Sequence, residues 1–329
     1  MPDLIFQLSA LEHNAEKTFE YRRRWGLEIL PVLKMVQAHP AAIQAIGRWG
    51  GPSLAWSELS EGVGWGHPVE RARRVLIGLA PPSRAAEIVL SFRRSFQSTP
   101  ATLTALDEAA AGLGLDHDLF LFVDLGEGRE GLAPADLPQI LDLVSRFKKL
   151  RLRGLAASFG CVAGREPPDD FLGDLTALRD IYLGRMGREP EISLGGSMLL
   201  NWLRPDRTGL ITELRLGDPF FIGEDIWGQA FPGGPFRRDV LTLAATVLER
   251  RGRQALVDVG RLHCGSGRLT CLQPGVRLGS STAAYQILDL PPDLESIPVD
   301  HQILFRPDYW GAAAAIIHPA VNLIIRSET

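Results

Sequence analysis

The apolar run Glu28-Ile-Leu-Pro-Val-Leu-Lys34 ends in a primary amine. At the mouth of a barrel such an amine is placed to form an imine with a carbonyl compound. Further polar groups fall at the ends of later apolar runs. Residues 118–124 lead into the glycine-rich Asp124-Leu-Gly-Glu-Gly-Arg-Glu-Gly131, and residues 151–158 end in Ser158. Residues 191–194 lead into Gly195-Gly196-Ser197, and residues 211–216 carry Arg215 just ahead of Gly217. Glycines at such points leave backbone N–H groups unhindered. Ser197 would begin a helix whose N-terminus favours an anion, so Gly195, Gly196, Ser197 and Gly217 together suit a phosphate. A tight strand-to-helix turn accounts for the glycine pair equally well, and a lone lysine at a strand end is ordinarily a solvated terminus. The chemical reading rests on all of these residues converging.

Convergence needs a scaffold. A short strand over 3–8 and a helix over 9–25 precede strands at 28–34, 53–57, 74–79, 88–92, 118–124, 151–158, 191–194 and 211–216. Helices are predicted over 40–49, 82–87, 99–114, 134–148, 169–187 and 198–203, the first broken by Gly50-Gly51-Pro52. Eight strands alternating with helices predict an α/β chain whose residues 9–225 form a (β/α)₈ TIM-like barrel, with a doubly wound open sheet as the rival. Active sites of such barrels lie at the C-terminal strand ends, where the polar residues above fall. After Gly223 the rhythm changes. Pro232-Gly-Gly-Pro235 marks a junction, and short runs at 239–248, 254–260, 276–278, 285–290 and 301–305 predict a mostly β domain over 226–329, joined by the N-terminal strand 1–8.

Composition narrows the partners. The 329 residues are 45% hydrophobic and 22% charged with a net charge of −4, which gives no electrostatic case for nucleic acid or an anionic membrane. Cys161, Cys264 and Cys271 are odd in number and lack C-x-x-C spacing, so neither a disulfide framework nor a metal site is expected, and a reducing cytoplasm fits. Neither an export signal nor a membrane span is predicted: the apolar tail from Trp310 to Ile325 is interrupted by His318, Pro319 and Asn322.

Several segments together resemble the alanine racemase-like, fold-type III pyridoxal-phosphate enzymes, with the closest likeness to the ornithine racemase branch. They are Leu11-Glu-His-Asn14, Pro31-Val-Leu-Lys34, Val123–Gly131, Gly195-Gly196-Ser197 and Ile211–Gly217 with Gly223. The likeness continues through Ala255–Arg261, Leu278–Ser281, Leu288-Asp289 and Phe305–Tyr309, so it spans nearly the whole chain in order.

The resemblance implies a pyridoxal 5'-phosphate (PLP) enzyme that racemises or epimerises an amino acid by two-base α-proton exchange. Lys34 would hold the cofactor as an imine and carry one proton, its pKa lowered by burial and the neighbouring cofactor. Arg215 would face the pyridine nitrogen, and because a guanidinium can only donate, the ring would stay unprotonated, favouring racemisation over decarboxylation. Arg129 would reach the cofactor's phenolic oxygen or the substrate carboxylate. Gly196, Ser197 and Gly217 would hold the phosphate with Tyr309 donating to it, and Ser158 and Gly195 would line the site. Alanine racemases take the second base, a tyrosine, from a partner subunit's β domain. This chain reads Gly260-Arg261-Leu-His263-Cys264 there, making His263 the first candidate and Cys264 the second, in a homodimer. Two departures fall near the substrate: Ser197-Met198-Leu199 in place of a polar run, and Thr282-Ala-Ala-Tyr285 where the ornithine racemase branch has an acidic residue and a histidine. They imply a substrate other than ornithine. The alternatives are another fold-type III activity, decarboxylase or aldolase, and a PLP-binding protein with little turnover.

Overall fold

The structure, a computed structural model, describes residues 1–51, 53–62, 69–294 and 297–327; Pro52 of the predicted break lies outside them. Strand β1 (Asp3–Gln7) and helix α1 (Leu8–Trp25) come first. There follow β2 (Glu28–Pro31), α2 (Pro40–Gly47), β3 (Leu54–Trp56), β4 (Arg74–Leu76), α3 (Ala85–Ser91), β5 (Arg94–Gln97), α4 (Pro100–Leu113) and β6 (His117–Phe122). Next are α5 (Leu137–Val144), β7 (Leu150–Ser158), α6 (Phe171–Met186), β8 (Glu191–Gly195), α7 (Leu199–Trp202), β9 (Glu213–Leu216) and α8 (Asp218–Phe221). Strands β2 to β9 form one parallel sheet in the order β2-β9-β8-β7-β6-β5-β4-β3. A parallel bridge between Val32 and Ala55, with Leu33 N–H donating to Ala55 O at 2.9 Å, closes it between β2 and β3. The scaffold is the predicted barrel.

Its strands are short, nearly continuous apolar runs, as expected where both faces are buried. Alternation divides them between two layers. Along β6, Phe120 and Phe122 join Leu30, Val32, Ala55, Val75, Phe96 and Ala156 inside the barrel, whereas Leu119 and Leu121 belong to the larger core under the helices. Helix α4 shows how the chain punctuates such elements: Thr99 Oγ1 accepts from Thr102 N–H, Pro100 opens the first turn, and Gly114 stops it at φ +67°.

One predicted strand is a helix. Residues 88–92 were expected to be β, but Ile88, Val89 and Phe92 lie on α3 and its C-cap, and the strand arrives at Arg94–Gln97. Ala85, Ile88, Val89 and Phe92 are buried while Leu90 is exposed, a helical spacing that the β-branched composition of the run obscured. The strand predicted over 28–34 likewise stops at Pro31, and Lys34 opens a 3₁₀ turn over Lys34–Val36.

The remaining strands are β10 (Leu241–Arg251), β11 (Gln254–Val257), β12 (Leu269–Cys271), β13 (Arg277–Ser281), β14 (Gln286–Asp289), β15 (Gln302–Pro307) and β16 (Asn322–Arg326), with helices α9 (Arg261–Cys264) and α10 (Tyr309–Ile317). Strand pairing here is antiparallel except where β1 runs parallel to β16; β1 also pairs antiparallel with β10. Neither β12 nor β16 was anticipated. Asn14 ties the two parts together: its side-chain amide donates to Arg237 O (2.8 Å) and Phe220 O (3.2 Å) and accepts from Arg237 N–H (2.7 Å). Among the described residues no helix is long and apolar enough to cross a membrane.

Candidate active site

A cleft at the C-terminal end of the barrel is lined by Lys34, Arg129, Ser158, Gly195, Gly196, Ser197, Arg215, Gly217 and Tyr309. These come from five strand ends and from α10. Asp308 places the tyrosine: it caps α10 by accepting from Gly311 N–H at 2.9 Å. The Lys34 ammonium lies 5.5 Å from the centre of the Tyr309 ring. Burial pulls the Lys34 pKa down, but Tyr309, Asp218 and Cys161 outweigh it and hold the amine above its usual range. Burial acts in the expected direction, but in the chain by itself the groups around the amine favour its charged form and outweigh it.

Arg215 is 4% exposed, its guanidinium carbon 4.9 and 5.1 Å from the ring centres of Phe96 and Phe122. Nη1 donates to Ser193 O (2.8 Å) and Ser193 Oγ (2.9 Å), and Nη2 to Ala157 O (2.8 Å) and Ser158 Oγ (3.2 Å). That leaves Nε–H as the donor without a protein acceptor among the described residues. Desolvation brings the Arg215 pKa down to about 10, with Glu213 and Glu130 opposing the fall, so the group remains a cation at neutral pH. Gly195 makes room for it, since a Cβ there would lie 2.5 Å from Nη2.

The glycine run combines both sequence readings. Gly196 has φ +124°, and a Cβ on it would overlap the Phe159 carbonyl oxygen, so the turn itself demands glycine. Beyond the turn, the backbone N–H groups of Gly196, Ser197, Met198 and Gly217 have no protein acceptor among the described residues. Four unsatisfied donors in one concave wall suit a phosphate. Together with the Lys34 amine and the Arg215 donor, the donor set fits PLP.

Three titratable cleft residues were missed. Glu130 pairs with Arg129 (Nη2 to Oε1 2.6 Å, with a second bond from Nε to Oε2) and accepts from Ser158 Oγ at 2.9 Å. The pair raises the Arg129 pKa; for Glu130, burial opposes but Arg129 and Ser158 prevail and lower it. Cys161 contacts Arg129, and burial pushes its thiol up. Asp218 lines the cleft beside Ser197; burial raises its carboxyl to about 6 against the pull of Lys34. A loop position three residues past Ser158, or the first residue of a four-residue helix after Gly217, carries no burial signal in sequence.

His263 and Cys264 lie on α9, outside this cleft. His263 is 8% exposed, its Nδ1 accepts from Gly260 N–H at 3.0 Å, and its ring meets that of His318 edge-on at 5.0 Å. Burial lowers its pKa and pushes the Cys264 thiol up to about 12. Cys264 borders a separate hollow of the β domain, with Arg261, Arg268 and Gln286.

Residues 6–221 match the family model "Alanine racemase, N-terminal domain". The chain is 24% identical to the lysine racemase of Thermotoga maritima over 353 aligned positions, covering 98% of each chain. It is 25% identical to the ornithine racemase of Acetoanaerobium sticklandii over 190 positions, covering 56% of this chain and 53% of that one. Among solved structures, the alanine racemase from Streptomyces coelicolor A3(2) superposes with a TM-score of 0.79 at 17% identity, over 99% of this chain and 98% of that one.

Proposed function

The chain belongs to the alanine racemase N-terminal domain family, and from that premise we propose that it is a PLP-dependent amino-acid racemase or epimerase. The observation that carries this reading is the four unsatisfied N–H groups of Gly196, Ser197, Met198 and Gly217 in one cleft with Lys34 and Arg215. Lys34 would hold the aldehyde end of the cofactor, Gly196, Ser197, Gly217 and Tyr309 its phosphate, and Arg215 its ring nitrogen. Bound there, PLP supplies the electron-withdrawing system that makes an amino acid's α-proton removable.

The protein's own groups do the rest. Lys34 Nζ takes or returns the α-proton on one face, and Tyr309 and Asp218, which favour its charged form, keep that proton close. Arg215 offers the ring a donor and no acceptor. Arg129, already paired with Glu130, orients an anionic oxygen at the rim. Racemisation needs a second proton carrier on the opposite face. We assign it to His263, or else Cys264, of a second copy of the chain in a homodimer; within one chain, Cys161 is the thiol that lines the cleft. The three unpaired cysteines support a cytoplasmic location. The two relatives racemise amino acids with a basic side chain by name, and the altered 282–285 segment points to a side chain other than that of ornithine.

Two measurements test the proposal. Purified protein given PLP should gain a visible absorption band that Lys34→Ala abolishes; a chain that gains no band contradicts cofactor binding. Incubated in D₂O with a panel of amino acids, the loaded protein should exchange the α-hydrogen of at least one substrate and interconvert its enantiomers. Aldol cleavage or CO₂ release without enantiomer interconversion would replace the assignment.

A further inference from the structure

Among the described residues Arg215 has no carboxylate bonded directly to it, although it is a cation in the barrel core. Two hydroxyls lead to one: Ser158 Oγ, which donates to Glu130 at 2.9 Å at the cleft, and Ser193 Oγ, which leads down into the barrel. Glu213 lies two residues earlier on β9, so both side chains point into the barrel, and Ser193 of β8 is paired in register with Glu213. Ser193 Oγ donates to Glu213 Oε1 at 2.6 Å and accepts from Arg215 Nη1 at 2.9 Å. The other oxygen of Glu213 accepts from Arg94 Nη2 of β5 at 2.6 Å. Ser193 is fully buried and Glu213 is 8% exposed. The line Arg94–Glu213–Ser193–Arg215 thus runs through the barrel from its floor to the cleft.

We propose that Glu213 is a positioning residue for Arg215: acting through the Ser193 hydroxyl, it fixes the plane of the guanidinium and supplies a buried counter-charge, on the barrel side, that keeps Nε–H presented to the cleft. A serine hydroxyl has one proton. With a carboxylate on one side, that proton goes to Glu213 and the lone pairs face Arg215. An amide at 213 cannot reproduce this arrangement. If its oxygen faces Arg94, its NH₂ donates to Ser193 Oγ, and the serine proton loses its carboxylate acceptor. If its oxygen faces Ser193, its NH₂ meets the Arg94 guanidinium, donor against donor. Either way Arg215 loses the charge of Glu213 and retains only that of Glu130, relayed by Ser158.

The inference rests on the reading that Arg215 meets the ring nitrogen of PLP, so its test has an arm without cofactor. In cofactor-free protein, hydrogen exchange at Arg215 Nε–H, followed by ¹⁵N-resolved NMR, should accelerate about tenfold or more in Glu213→Gln and in Ser193→Ala. In PLP-loaded protein, the pH midpoint of the bound chromophore should move by about one unit in both variants, with nothing added in the double variant. Unchanged exchange in both single variants overturns the proposal, as do additive shifts in the double variant. If Glu213→Gln fails to fold, Ser193→Ala decides alone, because it cuts the link while retaining both charges. If the wild-type chain binds no PLP, the functional reading fails and the exchange arm still decides this one.

Discussion

Glu61 follows β3, is 2% exposed, and accepts from the N–H groups of Ser57 (3.0 Å) and Glu58 (3.1 Å), while its Oε2 has no partner among the described residues. Burial raises its carboxyl to about 8, the backbone bonds and Lys34 opposing. The fold therefore favours the protonated form. Its contribution to stability is complete below the unfolded carboxyl pKa and is lost as pH rises through about 8. Glu61→Gln, which keeps an acceptor and does not titrate, should lose about 2–5 kcal/mol less than the wild type between pH 5 and pH 9 in urea unfolding; parallel profiles would contradict the assignment. At this scale the sequence exposed the cleft unevenly. Lys34, Arg129, Ser158, Arg215 and the glycines were legible because each sits at or just after an apolar run, where barrel topology gathers side chains. Glu130, Cys161 and Asp218 were not, since burial and an opposite charge across the cleft arise only once the loops close.

Two loops at the mouth are knitted by carboxylates that touch backbone. Asp124 Oδ1 accepts from the N–H groups of Gly126 (3.0 Å), Glu127 (2.9 Å) and Gly128 (3.1 Å), shaping the turn that delivers Arg129 and Glu130. Glu127, 5% exposed, reaches to the loop after β7 and accepts from Gly160 N–H (2.9 Å) and Val162 N–H (2.6 Å). Trp227 covers that loop, donating from Nε1 to Gly160 O at 3.0 Å. Glu127→Ala leaves these amides unpaired at a cost of about 1–3 kcal/mol, so exchange at Gly160 and Val162 should quicken roughly tenfold or more while amides of β6 and β7 keep their protection. Equal acceleration throughout would mean global destabilisation instead. The elements themselves were mostly legible from periodicity. The failures have a common cause: at 88–92, and at the missed β12 and β16, the run is too short for composition to separate helix from strand or strand from loop, and partners distant in sequence decide.

At the scale of the molecule, the β domain reaches the site directly, and the proposed homodimer gives it a second route. Within one chain, α10 brings Tyr309 onto Lys34. Close to it, α9 and α10 leave Leu262 61%, Trp310 53% and Ile317 64% exposed, apolar side chains that a second copy of the chain would cover. His263 and Cys264 lie on the same α9, so the surface that would bury this patch is the one that could carry α9 to another chain's cleft. A shared site of this kind has a specific signature. Lys34→Ala and His263→Ala should each abolish racemisation when pure. Unfolded together and refolded, they form mixed dimers in which one of the two sites has both residues intact, so about a quarter of the wild-type rate should return. No return, with mixed dimers present, would place both proton carriers in one chain and turn attention to Cys161; full activity of His263→Ala alone would pass the role to Cys264 or Cys161. The split is set by geometry. A base on the same chain cannot be restored by subunit exchange, whereas one lent across a two-fold interface is restored whenever a single intact copy of each residue meets the other.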